Sequence, residues 1–383
     1  MPRVDSEVLR SFASEVTEAF GAPPAIASAV ATSLVSADLR GHGSHGVIRL
    51  ATTYREMIDS EQLSPAATPR VVSENDRNGE SNGDGGGNDR SSDGEPTVLV
   101  DGGRGFGQVA GRFATDVLTG RAAAHGIGAV GILDASHLGR VGEFAERVAD
   151  AGYLFTAWVN TGGTASLVAP VGRSDRRLAT NPLAFGVPSF GVLPFPIVLD
   201  MATSQVAHGK ITKRAIEGES LPPDWAIDDE GDSITDAEVF EAGTGAMAPL
   251  GGRVAGHKGF GLAVVAELFA GICADGRVAG ERAPETVNNS ALFVAIDPDR
   301  FGSAERNRER IEALVSFLDG ANERPNLVPE SARGDRQLLP GEAEHRTAME
   351  RREQGIPIDE RTAGALTDVA AAYGVDVPQD LES

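Results

Sequence analysis

The chain has one cysteine, Cys273, only three lysines, few aromatic residues and no long uninterrupted apolar run. Each scarcity excludes something. A single thiol closes no internal disulfide and completes no four-cysteine zinc site, so small disulfide scaffolds and zinc ribbons are excluded. No stretch approaches the roughly 20 consecutive apolar residues of a membrane-spanning helix, and the opening MPRVDSEVLR is charged where a secretory leader is apolar. A cytoplasmic protein is expected. Lysine occurs only at 210, 213 and 258, and the rest of the 34 basic residues are arginine. Against 56 acidic residues they leave a net charge of −22 with no basic cluster, which argues against a nucleic-acid backbone or an anionic membrane as partner. An acidic, lysine-poor surface stays hydrated when salt screens its charges, and so points to a halophilic source; a GC-rich genome produces the same arginine excess. Also missing are G-x-x-x-x-G-K-[ST], H-E-x-x-H and G-x-S-x-G, which disfavours P-loop hydrolysis, zincin peptidases and α/β-hydrolases. A small molecule is the expected ligand.

What is present is enough for about two domains: 383 residues, 41% hydrophobic. Apolar positions at helical spacing predict two helices over 5–37, separated by GAPP at 21–24. The stretch 74–95 has nothing to bury and reads as a disordered acidic insertion between strand segments at 71–73 and 97–101, with a domain linker as the alternative. Strands and helices then alternate: strand 97–101, helix 108–124, strand 127–134, helix 141–151, strand 153–160. Such alternation implies a twisted sheet covered by helices, an α/β class. Gly- and Pro-rich loops fill 161–255 and are expected to line a site. The run FGLAVVAELFAGICA at 260–274 is apolar nearly all round and predicts a buried helix, followed by a strand at 288–297 and helices at 303–319 and 360–373.

The densest chemical cluster is Arg40-Gly-His42-Gly-Ser44-His45-Gly-Val-Ile-Arg49. Histidine exchanges protons near neutral pH and a planar guanidinium holds a carboxylate in two hydrogen bonds, so the segment suits a 2-hydroxy or 2-oxo acid. Helix capping around a buried His42, or metal binding by His42 and His45, are the alternatives. His137, after a strand and before a helix in LDASHLGRVGEF, is a second proton carrier or a structural histidine. Gly105, Gly107 and Ala110 form G-x-G-x-x-A between a strand and a helix, with Asp134 ending the next strand; on paper this is a Rossmann fingerprint, although the spacing to Asp134 is long. Two further segments compete for a nucleotide. Gly256-His257-Lys258-Gly259 opens the apolar helix, and Asp200-Met-Ala-Thr203-Ser204 follows a strand.

The order ADLRGHGSHGVIRL, GFGQVAG, SHLGRVGEFA, ATNPLAFGVP, DMATSQVAHGKI, LPPDWAID, GHKGFGLAVVAELFAGI and LPGE, spanning about residues 5 to 375, resembles the type-2 malate/L-lactate dehydrogenase family. That family also contains L-sulfolactate and ureidoglycolate dehydrogenases and a cyclic-imine reductase. The resemblance implies a homodimeric oxidoreductase that uses NAD or NADP to interconvert a 2-hydroxy acid and a 2-oxo acid, malate or lactate type first. Reduction of sulfopyruvate, ureidoglycolate-type or cyclic imino substrates, or a non-catalytic nucleotide-binding role, are the alternatives. It implies a non-Rossmann α/β fold with a central mixed sheet domain. Expected domains are an N-terminal helical, substrate-side segment at 1–120, the sheet and cofactor domain at 121–300, and a C-terminal helical segment at 301–383 that packs back on the first. Carried over position by position, His45 transfers the proton, Ser44 and Arg49 contact substrate, and His137 faces substrate and nicotinamide. The cofactor contacts fall on Asn181, Asp200, Met201, Ala202, Thr203, Ser204, His257, Lys258, Pro340, Gly341 and Glu342, and no metal is implied. Gly105 becomes a helix-entry turn. Ala179 stands where the family has glycine, and the acidic insertion is outside its pattern.

Overall fold

A computed structural model describes residues 2–72, 94–281, 288–321 and 338–382. The acidic insertion lies almost wholly outside the described residues. The chain opens with strand β1 (Arg3–Val4) and helices α1 (Ser6–Ala19) and α2 (Pro24–Leu39). Asp5 starts α1 by accepting from the amides of Glu7 and Val8, while Leu9, Phe12, Ala13 and Val16 form its buried side at helical spacing. α2 begins on Pro24 and is small and apolar on nearly every side, which is why it is buried along most of its length. A 3-10 turn at Gly43–His45 leads to a π-helical turn at Leu50–Tyr54 that runs into α3 (Arg55–Asp59).

β2 (Arg70–Val71) pairs antiparallel with β3 (Thr97–Asp101), so the acidic insertion joins neighbouring strands of one sheet. α4 (Gly107–His125) crosses from β3 to the parallel strand β4 (Ile127–Ala135). α5 (Gly142–Asp150), β5 (Leu154–Asn160), β6 (Leu183–Val187), β7 (Ile197–Met201) and α6 (His208–Glu217) follow. A small sheet of β8 (Ala226–Ile227), β9 (Ser233–Ile234) and β10 (Ala246–Met247) surrounds α7 (Ala237–Glu241). Then come α8 (Gly252–Cys273), β11 (Asn289–Ile296), α9 (Ala304–Asp319), α10 (Glu342–Gln354), β12 (Ile356–Pro357) and α11 (Glu360–Tyr373).

The main sheet runs β2-β3-β4-β11-β5-β6-β7, and of its neighbouring pairs only β3 and β4 are parallel. A doubly wound dinucleotide fold rests on a largely parallel sheet, so this is a mixed, non-Rossmann α/β fold. Residues of α4 and α5 pack with Val130, Ile132, Ala157, Ala184 and Phe293 of the strands in one apolar cluster. A second cluster joins α1 and α2 to Ile356, Leu366 and Val369 near the C-terminus, and β1 pairs with β12. The two ends of the chain therefore close on each other, which brings α10 against α2.

The helix predicted from 260–274 is longer and only half buried. Gly256, Gly259, Ala263, Ala266, Glu267 and Ala270 form the buried side of α8, while Val254 (93% exposed), Leu262, Val265, Phe269 and Ile272 (72%) face outward. Small residues let the helix approach β5 and β11 closely, and that packing uses one side only. The larger apolar residues are left on the other. By length and composition α8 is the one described helix that would span a membrane, yet its acid Glu267 is bonded within the protein to Asn160 and Asn181.

Candidate active site

The end of α2 turns sharply: the amides of Gly41 and His42 bond the carbonyls of Asp38 and Ala37, and the 3-10 turn then carries Ser44 and His45 inward. Ser44 Oγ lies 3.1 Å from His45 Nδ1, which leaves Nε2 as the reactive nitrogen. α6 begins beside this hydroxyl, with Gly209 facing Ser44. Arg49 folds back under the turn. Its Nε donates to the Ser44 carbonyl at 2.6 Å and its Nη1 to Thr53 Oγ1 at 2.8 Å, so the fork presents only its Nη1/Nη2 end to a ligand.

His137 reaches the same place from the end of β4. The imidazoles of His45 and His137 stack with ring centroids 5.3 Å apart and planes 24° from parallel. What holds His137 there is the glycine turn that mimics a Rossmann fingerprint. Gly107 N donates to Ser136 Oγ (3.1 Å), Ser136 N donates to the Gly105 carbonyl (3.1 Å), and a Cβ on Gly107 would lie 2.5 Å from the Ser136 and His137 carbonyl oxygens. The turn is filled by the chain itself, with no space left for a pyrophosphate.

Both histidines are neutral at pH 7. Burial, then the Arg49 charge, then His42 and Arg140 push His45 down to about 3. Burial, Arg49 and His45 hold His137 well below its ordinary value. The Nδ1 of His137 is buried and has no hydrogen-bond partner among the described residues. A neutral pair beside a guanidinium is a base next to an anion-binding group. His42 points elsewhere: its Nε2 is 3.5 Å from Glu344 Oε1 on α10, tying the turn to the C-terminal helix.

Several of the residues carried over for the cofactor lie at or beside the edge strand β7. Val198 N donates to the Pro340 carbonyl (3.1 Å), Gly341 abuts the same strand, and Leu250 N donates to the Thr203 carbonyl (2.9 Å) just before α8. Most of their polar side chains are already engaged. Asp200 Oδ2 accepts the Gly142 amide at 2.7 Å and so caps α5, and its burial raises the carboxyl above its ordinary value. Thr203 Oγ1 donates to the carbonyls of Thr180 and Asn181, Ser204 Oγ to that of Val206. Asn181 Nδ2 donates to Glu267 Oε2 and the Ala263 carbonyl, while its Oδ1 is buried with no partner among the described residues. Glu342 closes its own turn through Leu339 N and Arg346. Met201, Ala202, main-chain groups and the exposed His257 and Lys258 are the surfaces left for a ligand.

A nicotinamide nucleotide fits these residues. Phe185 and Leu199, opposite each other on β6 and β7, leave an exposed apolar platform. Lys258 makes no ion pair among the described residues and is suited to a phosphate. The unpartnered Nδ1 of His137 offers a hydrogen bond where substrate and nicotinamide would meet.

Three supporting groups were not evident from sequence. Arg140, three residues after His137, is buried with its Nη2 on Glu146 Oε2 at 2.7 Å. Gln108 Nε2 donates to the hydroxyl of the fully buried Tyr54. Glu267 joins Asn160, Asn181 and the Ala279 amide. Arg140 stands inside the SHLGR segment, a signal available in sequence; the burial of the other two is visible only in three dimensions.

Comparison with known proteins matches residues 4–88 and 89–367 to the family described as malate/L-lactate dehydrogenase. A malate dehydrogenase of Pyrococcus abyssi is 31% identical over 380 residues, covering 97% of this chain and 95% of the relative. An L-lactate dehydrogenase of Cupriavidus necator is 32% identical over 339 residues, 88% of each chain. The solved structure of a putative malate/lactate dehydrogenase from E. coli superposes with a TM-score of 0.84 at 30% identity, covering 100% of this chain and 98% of that one.

Proposed function

The chain belongs to the malate/L-lactate dehydrogenase family, and from that premise we propose that it interconverts a 2-hydroxy acid and a 2-oxo acid of malate or lactate type with a nicotinamide cofactor, at the His45–His137 pair. One observation carries the site: Arg49, His45 and His137, brought from distant parts of the sequence, meet with the imidazoles 5.3 Å apart and neutral.

The Nη end of Arg49 holds the substrate carboxylate, which fixes the 2-carbon against the imidazoles. In the oxidative direction His45 Nε2 takes the hydroxyl proton, a role suited to an imidazole that is unprotonated at pH 7. His137 hydrogen-bonds the same oxygen and keeps the ring of His45 in place. When bound, the nicotinamide accepts or supplies the hydride. Asp200, Met201, Ala202, Thr203, Ser204 and the Pro340–Glu342 turn would hold it against β7 mainly through backbone and shape, with His257 and Lys258 toward its phosphates and Asn181 fixing the adjoining turn. In the reductive direction His45 must carry a proton, and the substrate carboxylate beside it raises its affinity for one.

Homodimerisation belongs to the same proposal and is supported by the outward apolar face of α8, which an acidic protein does not ordinarily leave to water. A cytoplasmic place and a need for salt are supported by the lone cysteine and the net charge of −22. The test is oxidation of NADH and of NADPH with oxaloacetate, pyruvate and sulfopyruvate, in low and molar KCl. Turnover of one oxo acid is expected; none with any of them, while NADH still binds, would remove the reaction and leave the fold.

A further inference from the structure

Asp38 occupies a place where a carboxylate is costly. It lies in the last turn of α2, only 5% exposed, at the helix end whose dipole repels negative charge. Its carboxyl receives one hydrogen bond, from Val47 N to Oδ2 at 2.8 Å. The rest of the group lies directly on the turn. A Cβ on Gly46 would sit 1.9 Å from Asp38 Oδ1 and 2.2 Å from its Cγ, and Gly43 passes on the same side. Gly46 has φ −89°, which any residue adopts, so glycine is required there for space and not for backbone freedom. The segment from Gly43 to Val47, which carries Ser44 and His45, is wrapped around this one carboxyl.

Resting on the dehydrogenase reading above, we propose that Asp38 is a positioning residue of the reaction, holding the Gly43–Val47 turn so that His45 faces His137 and the Nη end of Arg49. Stability alone does not explain a buried carboxylate with a single donor at a helix C-terminus, whereas a fixed turn does. The charged groups that face it are Arg351 of α10, whose Nη1 also bonds the Asp38 carbonyl, and Asp359, which caps α11. Burial outweighs Val47 N and Arg351 and raises the carboxyl to about 7, so its proton is exchanged in the working pH range.

The test compares Asp38→Ala, which loses the acceptor for Val47 N, with Asp38→Asn, which keeps an oxygen there. Asp38→Ala is expected to lower kcat about tenfold or more with the KM for oxo acid and the Kd for NADH little changed, and Asp38→Asn to restore most of it. Gly46→Ala should impair the wild type and be much milder in the Asp38→Ala background, because the three atoms nearest to the added Cβ all belong to this carboxyl. Equal kcat in wild type and Asp38→Ala, or no recovery of kcat in Asp38→Asn, would overturn the proposal. Where Asp38→Ala does not fold, Gly46→Ala decides: a lowered kcat at unchanged KM and NADH affinity supports the proposal, and an unchanged kcat overturns it. A wild type silent on every oxo acid would overturn the dehydrogenase reading instead. The His45 ring resonances then decide for Asp38: displaced in Asp38→Ala and restored in Asp38→Asn supports it, and unmoved overturns it.

Discussion

The substrate side and the cofactor side of the site are built in opposite ways. Around His45 the side chains keep reactive atoms free: His45 Nε2, the buried Nδ1 of His137 and the outer end of Arg49. Along β7 the polar side chains are consumed by the protein, with Asp200 capping a helix and Thr203 and Ser204 bonded to nearby carbonyls. On the proposed function, one half would act through side-chain chemistry and the other through backbone and shape. Substitutions on the first half should change rates, and those on the second should change stability.

The largest effect sharpens that contrast. His45→Ala should lose roughly 10²–10⁴-fold in turnover while NADH binds as before, read by steady-state rates beside a fluorescence titration. Loss of NADH binding instead would break the division of labour. Arg49→Lys should raise the KM for the oxo acid about tenfold or more with a smaller change in kcat, since a point charge replaces a fork; equal KM values would take Arg49 out of the site. On the other half, Thr203→Val removes the hydroxyl donor of the buried Asn181 carbonyl, while the Thr180 carbonyl keeps the Thr203 amide, and should cost about 1–3 kcal/mol of stability in denaturant melts with kcat nearly unchanged. A collapse in kcat at full stability would show a direct role for that hydroxyl.

A smaller effect lies in the pH dependence of stability. A histidine whose folded pKa lies below its unfolded value near 6.5 leaves the unfolded chain to take up the proton first, so stability is lost as pH falls below about 6.5. His137→Asn should therefore become more stable relative to the wild type by about 1.4 kcal/mol per pH unit between roughly pH 6 and 5. Parallel stability curves would mean that His137 is not held neutral. Asp38 runs the other way, because its raised pKa makes the fold lose stability as pH climbs from about 4 toward 7, which is why variants are compared and not absolute slopes.

Much of this architecture is legible in the sequence, and the illegible part has physical causes. Helical spacing gave α1 and α2 away, and alternation did the same for β3 to β5 with α4 and α5, because those elements bury one side against near neighbours. The position of β11 between β4 and β5 was hidden, since a strand more than 120 residues after its neighbours joins them only in three dimensions. The apolar character of α8 does not distinguish a core helix from one with an exposed apolar face, and there the expectation of full burial failed. His45 and Arg49 stood out as one close cluster, whereas His137, far from them in the chain, was tied to the site only by the family resemblance. Asp38 was not visible: in sequence it is one more acid at a helix end, and only its burial against Gly46 distinguishes it.

The central claim is that His45 is neutral in the free site and becomes the proton carrier once a carboxylate binds Arg49. Calorimetric titration of the NADH-loaded protein with oxamate, an isosteric analogue of pyruvate, in buffers of different ionisation heats counts the protons taken up. Uptake of about one proton at pH 7 by the wild type and none by His45→Gln is the predicted result. Tight oxamate binding with no proton uptake in the wild type would contradict the account.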